Sequence, residues 1–239
     1  MGKILNTIGL DQQEWIEKQK IFFVASAPLD SKGTVNTSPK GYDCFRIMNP
    51  NQVCYLELTG SGIETQSHVE ENGRITIMFL AFESAPKILR LLGRGRVCRV
   101  DTPEFQALYN QYFAGSELEQ VRGLRSIIVL NVEKVGISCG FGVPYYEYKG
   151  NRPTLKNYWG KKTGDQVTDF WVKENASSLD GLPGMRHAHM GPKFVHLAGS
   201  TSALSWLTNW TGLQPLTFGA SLAAAFGAGI ALTSLSPKR

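Results

Sequence analysis

Cysteine is scarce in this chain. Four residues of 239, Cys44, Cys54, Cys98 and Cys139, lie far apart with no CxxC pair. That excludes a disulfide framework and a zinc ribbon, and buried, reduced thiols are the expected state. Charge is also thin, at 19% of residues with a formal net charge of +5. The excess admits an anionic ligand or surface but lacks the dense basic stripe of a nucleic-acid binder, so no nucleic-acid partner is expected. Catalytic signatures are missing too. There is no GxxxxGK[ST] phosphate loop, no GxGxxG fingerprint and no GxSxG elbow, which excludes the commonest nucleotide-binding and serine-hydrolase arrangements. His187 and His189 form an HxH pair without companion ligands at metal spacing, so no metal is expected. The N-terminus reads as a polar helix rather than a signal peptide, and Asn6 stands where a myristoylation motif has Ser or Thr.

What the chain does have is strand signal. Hydrophobic residues make up 42%, enough for a substantial core. Apolar, β-branched runs recur at 21–27, 34–38, 52–58, 74–81, 88–100 and 126–132. Short helices are predicted near 11–20, 63–72 and 103–113. Asp11 with Glu14 resembles a capping box for the first, and Thr102-Pro103-Glu104 supplies a cap, an N1 proline and an early acid for the third. No regular strand–helix–strand period appears, so a small, largely antiparallel closed sheet fits better than a doubly wound parallel one.

Three segments carry candidate chemistry. Asn36, Ser38 and Lys40 alternate at the end of a strand, so they share a face and present an amide, a hydroxyl and an ammonium. Ser61, Gly62 and Thr65 lie where a strand passes through a glycine turn into a helix, whose first N–H groups favour an anion. Arg90, Arg94 and Arg96 share strand parity on a basic face.

The tail differs in kind. Residues 216–235 carry no charge and are long enough as a helix to cross a bilayer core. Gly219, Ala223, Gly227 and Ala231 form a small-residue stripe along it. A membrane anchor and a packing helix both remain open, giving a cytoplasmic protein with a candidate tail anchor.

Several ordered segments resemble the pyridoxamine 5′-phosphate oxidase-like family. They are Ile21–Pro28 (IFFVASAP), Val35–Gly41 (VNTSPKG), Tyr55–Thr65 (YLELTGSGIET) with His68, Glu71–Phe79, Pro86–Gly93, Ser138–Pro144 and Ser178–Gly184 (SLDGLPG). The likeness covers roughly residues 1–185 and is to a fungal and bacterial branch of that family. It implies a mainly β, α+β fold: a split β-barrel that binds flavin mononucleotide (FMN), with peripheral helices. The expected layout is the barrel over 1–135, an irregular aromatic-, Gly- and Pro-rich extension over 136–211, and a hydrophobic helix within 212–239. It also implies a homodimer with FMN at the subunit interface. The matching phosphate positions here are Ser38, Lys40, Ser61 and Thr65, with Arg90 further along, and the strand end and glycine turn add Asn36 and Gly62 to the candidate cofactor-binding residues.

Glu64-Thr65 stands where vitamin B6 oxidases of the family have an Arg-Lys pair for the FMN phosphate, and their C-terminal Arg and His pattern is not recognisable. Pyridoxamine-phosphate oxidation is therefore not expected. The expectation is an FMN-dependent oxidoreductase acting on an unknown small substrate. The alternative is a non-enzymatic flavin- or ligand-binding protein, or a membrane-tethered scaffold.

Overall fold

The computed structural model describes residues 2–119 and 121–185. The predicted helix over 216–235 and the histidines beyond 185 lie outside them. Eight strands form one sheet: β1 (Lys3–Leu5), β2 (Phe22–Ser26), β3 (Asn36–Lys40), β4 (Phe45–Asn49), β5 (Gln52–Leu58), β6 (Arg74–Leu80), β7 (Ile88–Arg99) and β8 (Leu124–Ser138). Their order is β3-β2-β6-β7-β8-β5-β4, with β1 on β8, and the pairings are antiparallel. Among the described residues five helices accompany it: α1 (Leu10–Glu17), α2 (Glu64–Asn72), α3 (Pro103–Tyr112), α4 (Thr154–Gly160) and α5 (Gly164–Glu174). This is the predicted mainly antiparallel architecture, and among the described residues no helix is long and apolar enough to cross a membrane.

The sheet curls until its two ends face each other. Phe45 on β4 lies 5.3 Å from Phe22 on β2 and 5.1 Å from Phe79 on β6, while Tyr55 on β5 meets Phe22 at 5.5 Å. These rings line the interior with Val24, Ile77, Leu89, Leu91 and Ile128, all buried. Alternation explains the arrangement, since residues 22, 24 and 26 of β2 and 75, 77 and 79 of β6 point inward. Cys54 and Cys98 are buried on the opposite face of the sheet from Tyr55, and burial pushes the thiols of Cys44, Cys54 and Cys98 up to about 12. Cys139 is exposed.

Several boundaries differ from the sequence reading. Pro39-Lys40 continues β3 instead of breaking it, because β3 is an edge strand and a proline there need not donate on its open side. Gly9, not Asp11, is the N-cap of α1, and no side chain caps it. The region expected to be irregular beyond 136 contains α4 and α5. A capping box between Thr163 and Gln166 starts α5, and Trp159 and Trp171 bury their rings against the barrel. Trp159 Nε1 donates to the Thr59 carbonyl at 2.9 Å, and Trp171 Nε1 donates to Thr59 Oγ1 at 2.8 Å. Gly123, at φ 90°, lets the backbone approach so closely that a Cβ there would meet the Trp159 ring at 2.7 Å.

A buried ion pair interrupts the apolar interior. Glu57 on β5 is 2% exposed. It accepts from Lys40 Nζ at 2.8 Å and from Arg125 Nη2 at 3.0 Å. Arg125 reaches it because the β5–β8 register shifts: Glu57 pairs with Ser126 and Leu58 with Leu124, leaving Arg125 as the extra residue of a bulge. Burial would raise the Glu57 carboxyl, but Lys40 and Arg125 outweigh it and hold the group below its ordinary value of 4.5. Its contribution to stability is therefore complete above that value and is lost as pH falls through the folded-state pKa. Glu57→Ala leaves Arg125 buried without its charge partner. Urea denaturation at pH 7 is expected to show a loss of about 3–5 kcal/mol, the scale for breaking a buried pair.

Candidate functional site

The two polar segments singled out from the sequence meet at one end of the barrel. Asn36 begins β3 and pairs with Ser26, the last residue of β2. Both side chains point inward toward the first turn of α2. Asn36 Nδ2 donates to Thr65 Oγ1 at 2.9 Å and to Ser26 Oγ at 3.2 Å. Ser26 Oγ lies 3.1 Å from Nδ1 of the buried His68, one turn further along α2. Ser26 Oγ accepts from Asn36, and the direction of its contact with Nδ1 follows the imidazole tautomer. Nε2 has no hydrogen-bond partner among the described residues and lies 4.0 Å from Asp180 Oδ2. Asp180 accepts from the Thr34 N–H at 2.8 Å and from Thr34 Oγ1 at 3.0 Å.

The first turn of α2 has no side-chain cap, with Ile63 at the N-cap. Glu64 turns back over Gly62, where a Cβ would collide with its Oε2. The same carboxylate accepts the Leu179 N–H at 3.3 Å. Ser61 is exposed. Asn175, at the end of α5, donates to the carbonyls of Gly60 and Ser61 at 3.0 and 3.4 Å and accepts from Arg125 Nη1 at 2.9 Å. The Ser178–Gly184 segment therefore closes over this corner, tied at Glu64, Thr34 and the Ser177–Pro183 bridge.

The predicted site residues fall into three groups. Asn36, Ser61, Gly62 and Thr65 come together around the start of α2. Ser38 and Lys40 follow Asn36 along the same inward face, but the Lys40 ammonium is engaged by Glu57. Arg90 pairs with Met78 and Gly136, opposite in parity to the inward Leu89 and Leu91, and donates to Ser138 Oγ at 3.2 Å. It lies apart from the others. Arg94 and Arg96 find separate partners in the Asn72 carbonyl and Glu104. As a phosphate site the corner fits in part. Ser61, Thr65 and the uncapped first turn of α2 suit an anion, whereas Glu64 opposes one and Lys40 is already neutralised.

Sequence reasoning missed Ser26, Glu57, His68, Arg125, Asn175 and Asp180 as members of this network. Glu57 was findable, as the one acid in an otherwise apolar strand (QVCYLEL), where an isolated charge implies a buried partner.

A curled antiparallel sheet with a polar corner at the start of its second helix defines a split-barrel protein. The profile described as pyridoxamine 5′-phosphate oxidase matches residues 11–139. A curated relative from Aspergillus flavus, the pyridoxamine 5′-phosphate oxidase family protein ustO, is 35% identical over 213 residues, covering 83% of this chain and 81% of the relative. The chain belongs to the pyridoxamine 5′-phosphate oxidase family. Among solved structures, Group A Streptococcus HupZ is 21% identical at a TM-score of 0.42, covering 54% of this chain and 91% of that one. A candidate pyridoxamine 5′-phosphate oxidase from Lactobacillus delbrueckii is 17% identical at a TM-score of 0.42, covering 55% and 94%.

His68 gives the corner a pH dependence. Burial pushes its imidazole below the ordinary value of 6.5, and Asp180 pulls less strongly in the opposite direction. A histidine held neutral by burial contributes stability that is complete above its unfolded pKa and declines as pH falls toward the folded one. Thermal melts of the intact chain are expected to weaken below pH 6.5, and His68→Gln is expected to flatten that slope.

Proposed function

We propose that the chain is an FMN-binding split-barrel protein, acting as a flavin-dependent oxidoreductase on a small substrate. The carrying observation is the convergence of Asn36, Ser61 and Thr65 at the uncapped start of α2, in a chain whose residues 11–139 match the family model. Ser61, Thr65 and the first-turn amides would hold the phosphate, with Asn36 fixing the orientation of Thr65. FMN, when bound, supplies hydride chemistry, so the protein's part is positioning and exclusion of water. A corner built from hydroxyls, amides and backbone N–H groups suits that division. A homodimer with the flavin at its interface belongs to the same reading.

One observation favours the alternative of a non-enzymatic flavin- or ligand-binding protein. The two groups that would decide phosphate affinity, Lys40 and Glu64, are respectively neutralised and of the wrong sign. The absorbance spectrum of purified protein separates the cases. Flavin bands with NADH or NADPH turnover support the enzyme, flavin bands without turnover support the binder, and a colourless preparation that takes up no added FMN overturns both.

The phosphate position is tested by flavin-fluorescence titration. Thr65→Val is expected to weaken FMN about tenfold and Glu64→Gln to strengthen it by a similar factor, each about 1.4 kcal/mol. Arg90→Ala is expected to leave the affinity unchanged. If neither Thr65→Val nor Glu64→Gln changes it, the phosphate lies elsewhere.

A further inference from the structure

The structure assigns a second ligand site, distinct from the flavin corner. A cavity of about 1060 Å3 opens at the opposite end of the β2–β3 hairpin. It takes Lys20 and Ile21 before β2, and Gly41 and Tyr42 after β3. The five residues of β2 separate this end from Ser26 by about 13 Å of extended chain.

The walls are built from rings. Trp15 of α1, Tyr42, Phe82 of the β6–β7 turn, and Tyr146, Tyr148 and Tyr158 of the extension all line it. The extension is pinned to the turn: the Tyr146 N–H donates to the Phe82 carbonyl at 3.2 Å, their rings meet edge-on at 5.6 Å, and the Tyr148 N–H donates to Glu83. Tyr42 has a φ of 64° and is the only non-glycine described residue with positive φ. A bulky aromatic residue occupies that region only when its surroundings hold it there. Here its hydroxyl donates to the Arg152 carbonyl, fixing the ring in the cavity wall.

Charge completes the chemistry. Lys18, Lys20, Lys87 and Arg152 line the cavity against two acids, Glu83 and Glu147, and Glu83 is engaged by the Tyr148 N–H. Lys87 Nζ lies 4.7 Å above the Trp15 ring, so a cation and an aromatic face are presented together. Flat apolar walls with an excess of positive charge suit a planar aromatic anion: an aryl carboxylate, sulfonate or phosphate.

The test uses the full chain and two fluorescent probes, anilinonaphthalene sulfonate and the uncharged N-phenylnaphthylamine. Saturable binding of the sulfonate is expected. Lys87→Gln is expected to weaken the sulfonate about tenfold and leave the neutral amine within about twofold. Ser84→Trp, which fills the cavity from an exposed position, and Tyr158→Ala, which removes a wall ring from an exposed helix position, are each expected to weaken both probes about tenfold. Unchanged melting temperatures establish that the variants remain folded. The proposal is overturned if neither Ser84→Trp nor Tyr158→Ala changes probe binding, or if Lys87→Gln affects both probes equally. Competition by FMN for the sulfonate would also overturn it, making the cavity part of the flavin site. Failure of FMN to bind at all, with the probe results as expected, overturns the flavin reading and leaves this site standing.

Discussion

Glu57 holds a negative charge where its neighbours are almost all apolar, and the connections of the barrel follow from the need to neutralise it. Its carboxylate draws Lys40 in from edge strand β3 and Arg125 out of the β8 ladder through a bulge. Lys40 thereby ties one end of the sheet to the other without a shared ladder. Arg125 then hands the chain of contacts to Asn175, which holds the Gly60 and Ser61 carbonyls. A buried pair of this kind stabilises weakly against an apolar replacement but strongly resists losing one partner. Its effect here is positional: it sets where the turn before α2 lies, and hence where Ser61 and Thr65 stand.

That same arrangement bears on the chemistry. A lysine at a strand end is an obvious phosphate ligand by composition, yet Lys40 serves the interior instead. The corner around α2 is left with hydroxyls, amides and one opposing carboxylate. Anion affinity there depends on backbone groups and on the position of Glu64 more than on any fixed cation. The cations of the aromatic cavity lie at the far end of the hairpin, against a wall of rings.

Six of the strands and the first three helices were legible because alternation and turn residues act locally, whereas the short β1 and β4 carried no run long enough to stand out. The shared face of Asn36, Ser38 and Lys40 followed from period two, and the start of α2 near residue 63 followed from the glycine turn. The role of Lys40 did not, because parity specifies a face and not which distant strand lies across the barrel. Arg125 was hidden by a register shift that only pairing with β5 creates. The helices of the extension were obscured by its polar and aromatic composition, although Thr163-Gly-Asp-Gln166 is a readable capping box. Asp180 belongs to a segment recognisable as a family motif, but its contact with Thr34 spans 146 residues, and nothing local encodes it.

Strand β8 lies at the centre of the sheet, with β7 along one side and β5 and β1 along the other. During synthesis, each of those partners leaves the ribosome before the strand that joins them. Until residue 138 has emerged, the nascent chain holds two separate sheet fragments, β3-β2-β6-β7 and β5-β4, with unpaired edges. The turn that positions α2 waits longer still, for Trp159, Trp171 and Asn175. Long-range closure of this kind slows folding and prolongs exposure of strand edges. The barrel is therefore encoded early in the chain but completed late, and the interval between is when it most needs protection from its neighbours.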